Sequence, residues 1–222
     1  MSKTKYTEPN IGTFKNVQWS QIPFGPFVMK TKLPDYIIER LHKDGKKKLQ
    51  SYHKKLAGHL DKQLLYNPET TSWFYKETQP VWDCFRTKHC EYHGIESLPV
   101  ELDAHDLWVN FMKPGDFNPM HTHGGDYSFV IFVDVPDKLT KEQQEFEGTS
   151  AKPGMLMFEY TQQAKPRWST TGQAIKPQTG DMFIFPALLQ HWVAPFKSKI
   201  TRVSVSGNLA ILNKDKLPND YF

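Results

Sequence analysis

Downstream of about residue 100 the apolar positions fall in short, aromatic and β-branched runs: Leu107-Trp-Val-Asn-Phe-Met112, Tyr127-Ser-Phe-Val-Ile-Phe-Val133, Gly154-Met-Leu-Met-Phe-Glu-Tyr160, Met182-Phe-Ile-Phe185 and Thr201-Arg-Val-Ser-Val-Ser206. Runs of this kind, divided by Pro and Gly turns, predict the strands of a sandwich or jelly roll. Upstream the spacing changes to three and four. Tyr36, Ile37, Ile38 and Leu41 follow Pro34-Asp35 and predict a helix that Gly45 breaks. Leu49, Tyr52, Leu56, Leu60 and Leu64 predict a second helix over 46–65, and Val81, Trp82, Phe85 and Tyr92 a third over 80–93, opened by Pro80 and closed by Gly94. Residues 1–30 set Pro9, Pro23, Gly25 and Pro26 around Phe27 and Val28, which predicts an extended arm or edge strand laid over the core. The polar stretch 137–153, with Lys138, Lys141, Glu142, Gln143, Gln144 and Glu145, predicts a mobile loop near the barrel mouth. The expected fold class is α+β: one domain over 1–222, mainly helical in 1–100, with a jelly-roll core over 101–212 and the helices packed on one outer face.

A chain of 222 residues can bury one substantial core. Its net charge of +4 is concentrated in Lys46, Lys47, Lys48, Lys54 and Lys55, on the second expected helix. A solvated helical face is the simpler account of that cluster, and contact with nucleic acid or another anionic partner the less simple one. No stretch approaches the roughly 18 apolar residues that span a bilayer, and the opening MSKTKYTEPN lacks the apolar segment of a secretory signal, so a soluble, cytoplasmic protein is expected, with no membrane partner. Cys84 and Cys90 lie close to His89 and His93, but their spacing misses the short knuckle of structural zinc sites, and ordinary thiols are expected.

The chemistry is concentrated in Pro114-Gly-Asp-Phe-Asn-Pro-Met-His-Thr-His-Gly-Gly-Asp126. On an extended backbone, residues two apart project to the same side about 6.6 Å apart, so His121 and His123 can converge on one metal ion. His191 follows Thr179-Gly-Asp-Met-Phe-Ile-Phe-Pro, a turn and a strand whose pairing would bring it to the same mouth. An isolated His-x-His is weak evidence, and its context strengthens it. In Thr201-Arg-Val-Ser-Val-Ser-Gly-Asn208, alternation sets Arg202, Ser204 and Ser206 on one face and Val203 and Val205 on the other. If the valines face the helices, Arg202 enters the barrel, where a guanidinium is costly unless a carboxylate meets it. An internal Arg–Asp or Arg–Glu pair would do so, and so would a dicarboxylate ligand.

The ordered combination of Pro-Gly, His-x-His, Gly-Asp-x-Phe-x-Phe-Pro, His and an Arg-x-Ser strand resembles the 2-oxoglutarate/Fe(II) oxygenases, in their prolyl-hydroxylase-like branch. It is especially similar to uncharacterised oxygenase-like proteins of marine bacteria and their phages. The resemblance spans about residues 105–210 and implies a double-stranded β-helix with Fe(II) and 2-oxoglutarate as cofactor and cosubstrate. It implies oxygenase activity with O2, in which a C–H bond of an unidentified peptide or metabolite is hydroxylated with release of succinate and CO2. Carried over by position, His121 and His191 match the family's first and distal metal histidines, Arg202 the residue that holds the far carboxylate of 2-oxoglutarate, and Ser204 the serine of its Arg-x-Ser motif. His123 stands where most members have Asp or Glu, so the third ligand is His123 itself, or Asp126 if the Gly124-Gly125 turn folds it back, or absent. Asn110, which shares a strand face with Met112, and Ser128 are further candidates for touching the cosubstrate. Trp192 reads as packing, and His59, His105, Trp73, Phe74 and Tyr75 as core or surface. Two rivals stand beside this reading: a cupin-type metal dioxygenase, which leaves Arg202 without a purpose, and a non-enzymatic jelly-roll module, favoured by the missing carboxylate at position 123.

Overall fold

A computed structural model describes residues 10–14, 17–21, 25–93, 101–160 and 172–212. The first described elements are β1 (Asn10–Phe14) and β2 (Val17–Gln21), an antiparallel pair. β3 (Met29–Lys32) leads into α1 (Asp35–Gly45); β4 (Gln50–Ser51), a single 3-10 turn (His53–Lys55) and β5 (Lys62–Leu65) then precede α2 (Pro68–Glu77) and α3 (Gln79–His93). The remaining elements are β6 (Leu102–Met112), β7 (Asn118–His121), β8 (Tyr127–Asp134), α4 (Asp137–Glu145), β9 (Leu156–Glu159), β10 (Gly172–Ile175), β11 (Asp181–Pro186), β12 (Gln190–Val193) and β13 (Arg202–Ile211). A seven-stranded sheet in the order β3-β11-β8-β13-β6-β5-β4 faces a four-stranded sheet in the order β10-β9-β12-β7, every pairing antiparallel. This is the expected jelly roll with helices on one face.

The central strands read as almost continuously apolar because both faces of the large sheet are covered. In β8, Phe129, Ile131 and Val133 join Ile37, Leu41, Phe74, Trp82 and Phe85 beneath the helices, while Phe132 turns between the sheets with Leu156, Phe158 and Phe196. β11 divides likewise, Met182 and Ile184 to the helices and Phe183 and Phe185 to the interior. In β13, Val203 and Val205 take the helix side, which leaves Arg202, Ser204 and Ser206 for the interior.

Two sequence expectations are overturned. Residues 46–65 are not a helix. Leu64 faces the helices and Leu60 the space between the sheets, so the apparent stripe serves opposite sides of one sheet, and β5 pairs with β6 (Lys62↔Phe111, Leu64↔Val109). The lysines accordingly do not form one helical face: Lys47 meets Asp44 just after α1, at 2.7 Å, and Lys54 and Lys55 lie in the 3-10 turn. Nor is 137–153 simply a mobile loop, since α4 buries Leu139 and Gln143 one turn apart and Gln143 Nε2 donates to the Pro153 carbonyl at 2.8 Å. A single buried apolar residue in α4 is too little for a periodic signal. α2 was missed although Asn67 caps it, accepting the Thr70 N–H at 2.8 Å, with Pro68 in the first turn. β3 is an edge strand, as expected for that region; Pro9, Pro23 and Gly94 lie outside the described residues. No helix among those described is long and apolar enough to cross a membrane.

Phe129 is 1% exposed and packs against the rings of Phe74, Tyr75 and Trp82. Phe129→Ala is expected to cost about 3–5 kcal/mol in chemical denaturation. Leu188→Ala, at a position 77% exposed, should stay within about 0.5 kcal/mol of the parent.

Candidate metal and cosubstrate site

β12 pairs with β7 so that His191 stands directly opposite His121, and both side chains turn to the inside of the barrel. Their ring centroids are 4.3 Å apart. His123 follows two residues past the end of the β7 ladder, where its N–H donates to the Ala187 carbonyl at 2.9 Å. Its ring lies 4.9 Å from that of His121 and 5.0 Å from that of His191. One ligand atom from each histidine lies within 4.8 Å of the others.

Two backbone carbonyls orient this cluster. His121 Nδ1 lies 2.7 Å from the Pro119 carbonyl and His191 Nδ1 lies 2.8 Å from that of Leu189. A carbonyl only accepts, so each Nδ1 carries the proton and each Nε2 keeps its lone pair, the arrangement a metal ligand requires. The Nε2 atoms of His123 and His191 approach to 3.1 Å. Burial, reinforced by the neighbouring histidines, pushes the pKa of His191 down to about 3 and that of His123 to about 4, and burial also lowers His121. All three rings are therefore neutral at physiological pH, ready to coordinate without first losing a proton.

Across the same cavity stands Arg202, 2% exposed. Nη1 donates to the Gly154 carbonyl at 2.9 Å, and the guanidinium lies 5.4 Å from the centre of the Phe132 ring. Nε is buried without a partner, and burial alone draws the pKa down to about 10, with no neighbouring carboxylate to hold it up. The internal Arg–Asp or Arg–Glu pair is thus absent among the described residues. Ser204, 4% exposed, and Asn110, 5% exposed, also line the cavity, facing each other across the β13–β6 pair.

Other expected positions are placed differently. Ser128 is buried one row further along, where its hydroxyl donates to Asn208 Oδ1 at 2.7 Å, and it is not among the residues lining the cavity. The Gly124-Gly125 turn does fold Asp126, but against β13: its carboxylate accepts the Ile211 N–H at 2.7 Å and its own N–H donates to the Leu209 carbonyl at 2.9 Å. Gly125 adopts φ +90°, and an added Cβ would come within 2.9 Å of the Leu209 carbonyl oxygen. Trp192 falls on the opposite face of β12 from His191, as a packing residue would. Phe74 is core, His59 stacks on Phe117 at 4.6 Å, and of His105 only the backbone is described. Cys84 and Cys90 are free thiols on α3 and join no metal-type cluster among the described residues. Gln63, Trp108 and Asn118 line the cavity and went unnoticed in the sequence. Gln63 was hidden inside the mistaken helix, although the β5 segment that carries it pairs with β6 directly beside Asn110.

Residues 106–208 match the family model described as "Putative 2OG-Fe(II) oxygenase". Compared by sequence with curated proteins, the chain has no match. Among solved structures it is similar to a prolyl-4-hydroxylase of Pseudomonas putida, with 14% identity over 82% of this chain and 91% of that one at TM-score 0.51. It is similar also to a viral collagen prolyl hydroxylase from Paramecium bursaria Chlorella virus-1 in complex with 2-oxoglutarate, at 17% identity, 82% and 94% coverage and TM-score 0.50. A third is HygX of Streptomyces hygroscopicus with nickel, 2-oxoglutarate and hygromycin B bound, at 7% identity, 85% and 83% coverage and TM-score 0.51. At these identities the likeness concerns the fold.

The placement of Asp126 has a direct consequence. Asp126→Ala is expected to lower stability by about 1–3 kcal/mol, through the lost bond to β13, while divalent-metal affinity measured by calorimetry stays within about twofold.

Proposed function

We propose that this chain, a member of the 2-oxoglutarate/Fe(II) oxygenase superfamily through residues 106–208, holds Fe(II) on His121, His123 and His191 and receives the far carboxylate of 2-oxoglutarate on Arg202 and Ser204. The observation that carries this reading is the buried Arg202, whose Nε has no partner and which no carboxylate of the described protein neutralises. Leaving a guanidinium in that condition costs several kcal/mol, and a dicarboxylate entering the cavity would supply both the counter-charge and the missing acceptor. The metal donors fit as well: three neutral imidazoles converge on one point, and two of them, with Nδ1 committed to carbonyls, offer Nε2 lone pairs to it.

Iron and 2-oxoglutarate held there would supply, with O2, oxidative decarboxylation to succinate and CO2 coupled to hydroxylation of a substrate C–H bond. The protein's own share is placement and exclusion of water. Arg202 fixes one end of the cosubstrate, the histidines set the other, and Phe132, Phe185, Leu156 and Val193 line the cavity with apolar surface that keeps water from the reacting groups. Both peptides and small metabolites are compatible with this chemistry as primary substrate. A cupin-type dioxygenase that needs no keto acid would leave the Arg202 charge unmet, which disfavours it.

Two substitutions separate the roles. His191→Ala should reduce iron retained after anaerobic loading to below about one-tenth of the parent value by elemental analysis. Arg202→Ala should keep the iron and weaken 2-oxoglutarate by about a hundredfold in calorimetry, and unchanged cosubstrate affinity in that variant would remove the role assigned to the arginine.

A further inference from the structure

We infer that the Gln63 carboxamide reads the primary substrate, and that this substrate presents an N–H or O–H group to it; the inference rests on the assignment of Arg202 and the histidines made above. Gln63 sits on β5 and is 2% exposed, in the wall of the cavity that holds the histidines and Arg202. Its Nε2 donates to Asn110 Oδ1 at 2.8 Å, and Asn110 Nδ2 in turn contacts Ser206 Oγ at 3.4 Å. That chain engages one N–H of Gln63, and one N–H and the carbonyl oxygen of Asn110. Gln63 Oε1 is left fully covered with no partner. The backbone at Gly58 closes over the amide so tightly that an added Cβ would lie 3.2 Å from Gln63 Nε2 and 2.1 Å from Asn118 Oδ1.

An unmet buried acceptor costs about 1–3 kcal/mol, and one set in a cavity wall beside a metal cluster points to a ligand that meets it. The cosubstrate is the wrong partner. At neutral pH 2-oxoglutarate consists of two carboxylates and a ketone, all acceptors, and its complement in the cavity is the unspent donor Arg202 Nε together with the Ser204 hydroxyl. A carbonyl oxygen turned toward the same molecule would repel it. The cavity therefore carries two opposite demands, a donor for one ligand and an acceptor for another. The second belongs to a molecule with an N–H or O–H, such as a peptide amide or a hydroxylated metabolite, and Gln63 is a specificity residue for it.

Three small amides test this directly, since acetamide, N-methylacetamide and N,N-dimethylacetamide share one carbonyl and carry two, one and no N–H donors. Each would be titrated anaerobically into protein loaded with Fe(II) and 2-oxoglutarate, reading the perturbation of the charge-transfer absorption of the chelated keto acid. The parent protein should bind the two donor-bearing amides at least about tenfold more tightly than the dimethyl compound. Gln63→Met should erase that difference while its own titration with 2-oxoglutarate stays within about twofold of the parent. An equal response of the parent to all three amides, or none, overturns the inference even if the variant fails to fold, and so does a Gln63→Met protein that has lost 2-oxoglutarate affinity. Absence of the charge-transfer band in the parent before any amide is added would instead refute the cosubstrate assignment beneath it.

Discussion

A slip of one residue between β7 and β12 would turn His191 out of the barrel, because side chains alternate faces along a strand. The observed register sets His191 opposite His121, and the Ala187 carbonyl then captures the N–H of His123 so that the third ring closes on the first two. Much of the molecule serves this alignment. The interior aromatics fill the space between the sheets, and the helices cover the outer face of the large sheet, whose β13 carries Arg202 to the far wall.

Electrostatics give the site its character. The resemblance seen in the sequence would place a carboxylate at position 123, and with a divalent ion, a dianionic keto acid and the buried guanidinium that arrangement sums to neutrality. With His123 as the third ligand the same assembly would carry one additional positive charge in a region of low effective dielectric. On the proposed ligand set, anion binding to the loaded site would be favoured accordingly, and the missing carboxylate would weaken the electrostatic hold on the metal itself. Asp126 does not compensate, since its carboxylate is bonded to the Ile211 N–H.

The barrel was legible in the sequence wherever period-two alternation coincided with burial on both faces, and the arginine of β13 was found for that reason: Val203 and Val205 must go to the helices, so Arg202 cannot. That His121, His123 and His191 would meet in one cluster was legible from spacing and order. Gln63 was not, because leucines three and four apart imitate a helix when they belong to a loop and a strand that feed opposite sides of a sheet. Ser128 was misplaced for a related reason. It lies on the interior face as alternation requires, yet one row beyond the cavity, a distance along the strand that pattern alone does not measure. Asp126 was left open between ligand and anchor, since a Gly-Gly turn permits many paths and the choice is made by contacts with β13, more than 80 residues away.

On the proposed function, three imidazoles and one guanidinium grip a metal ion and a dicarboxylic acid together. An anaerobic crystal structure of the protein with Fe(II) and 2-oxoglutarate tests it most directly. Iron is expected on one ring nitrogen each of His121, His123 and His191 with no protein carboxylate bound to it, and the far carboxylate of the keto acid on Arg202. Iron coordinated by Asp126, or a keto acid seated away from Arg202, would contradict it.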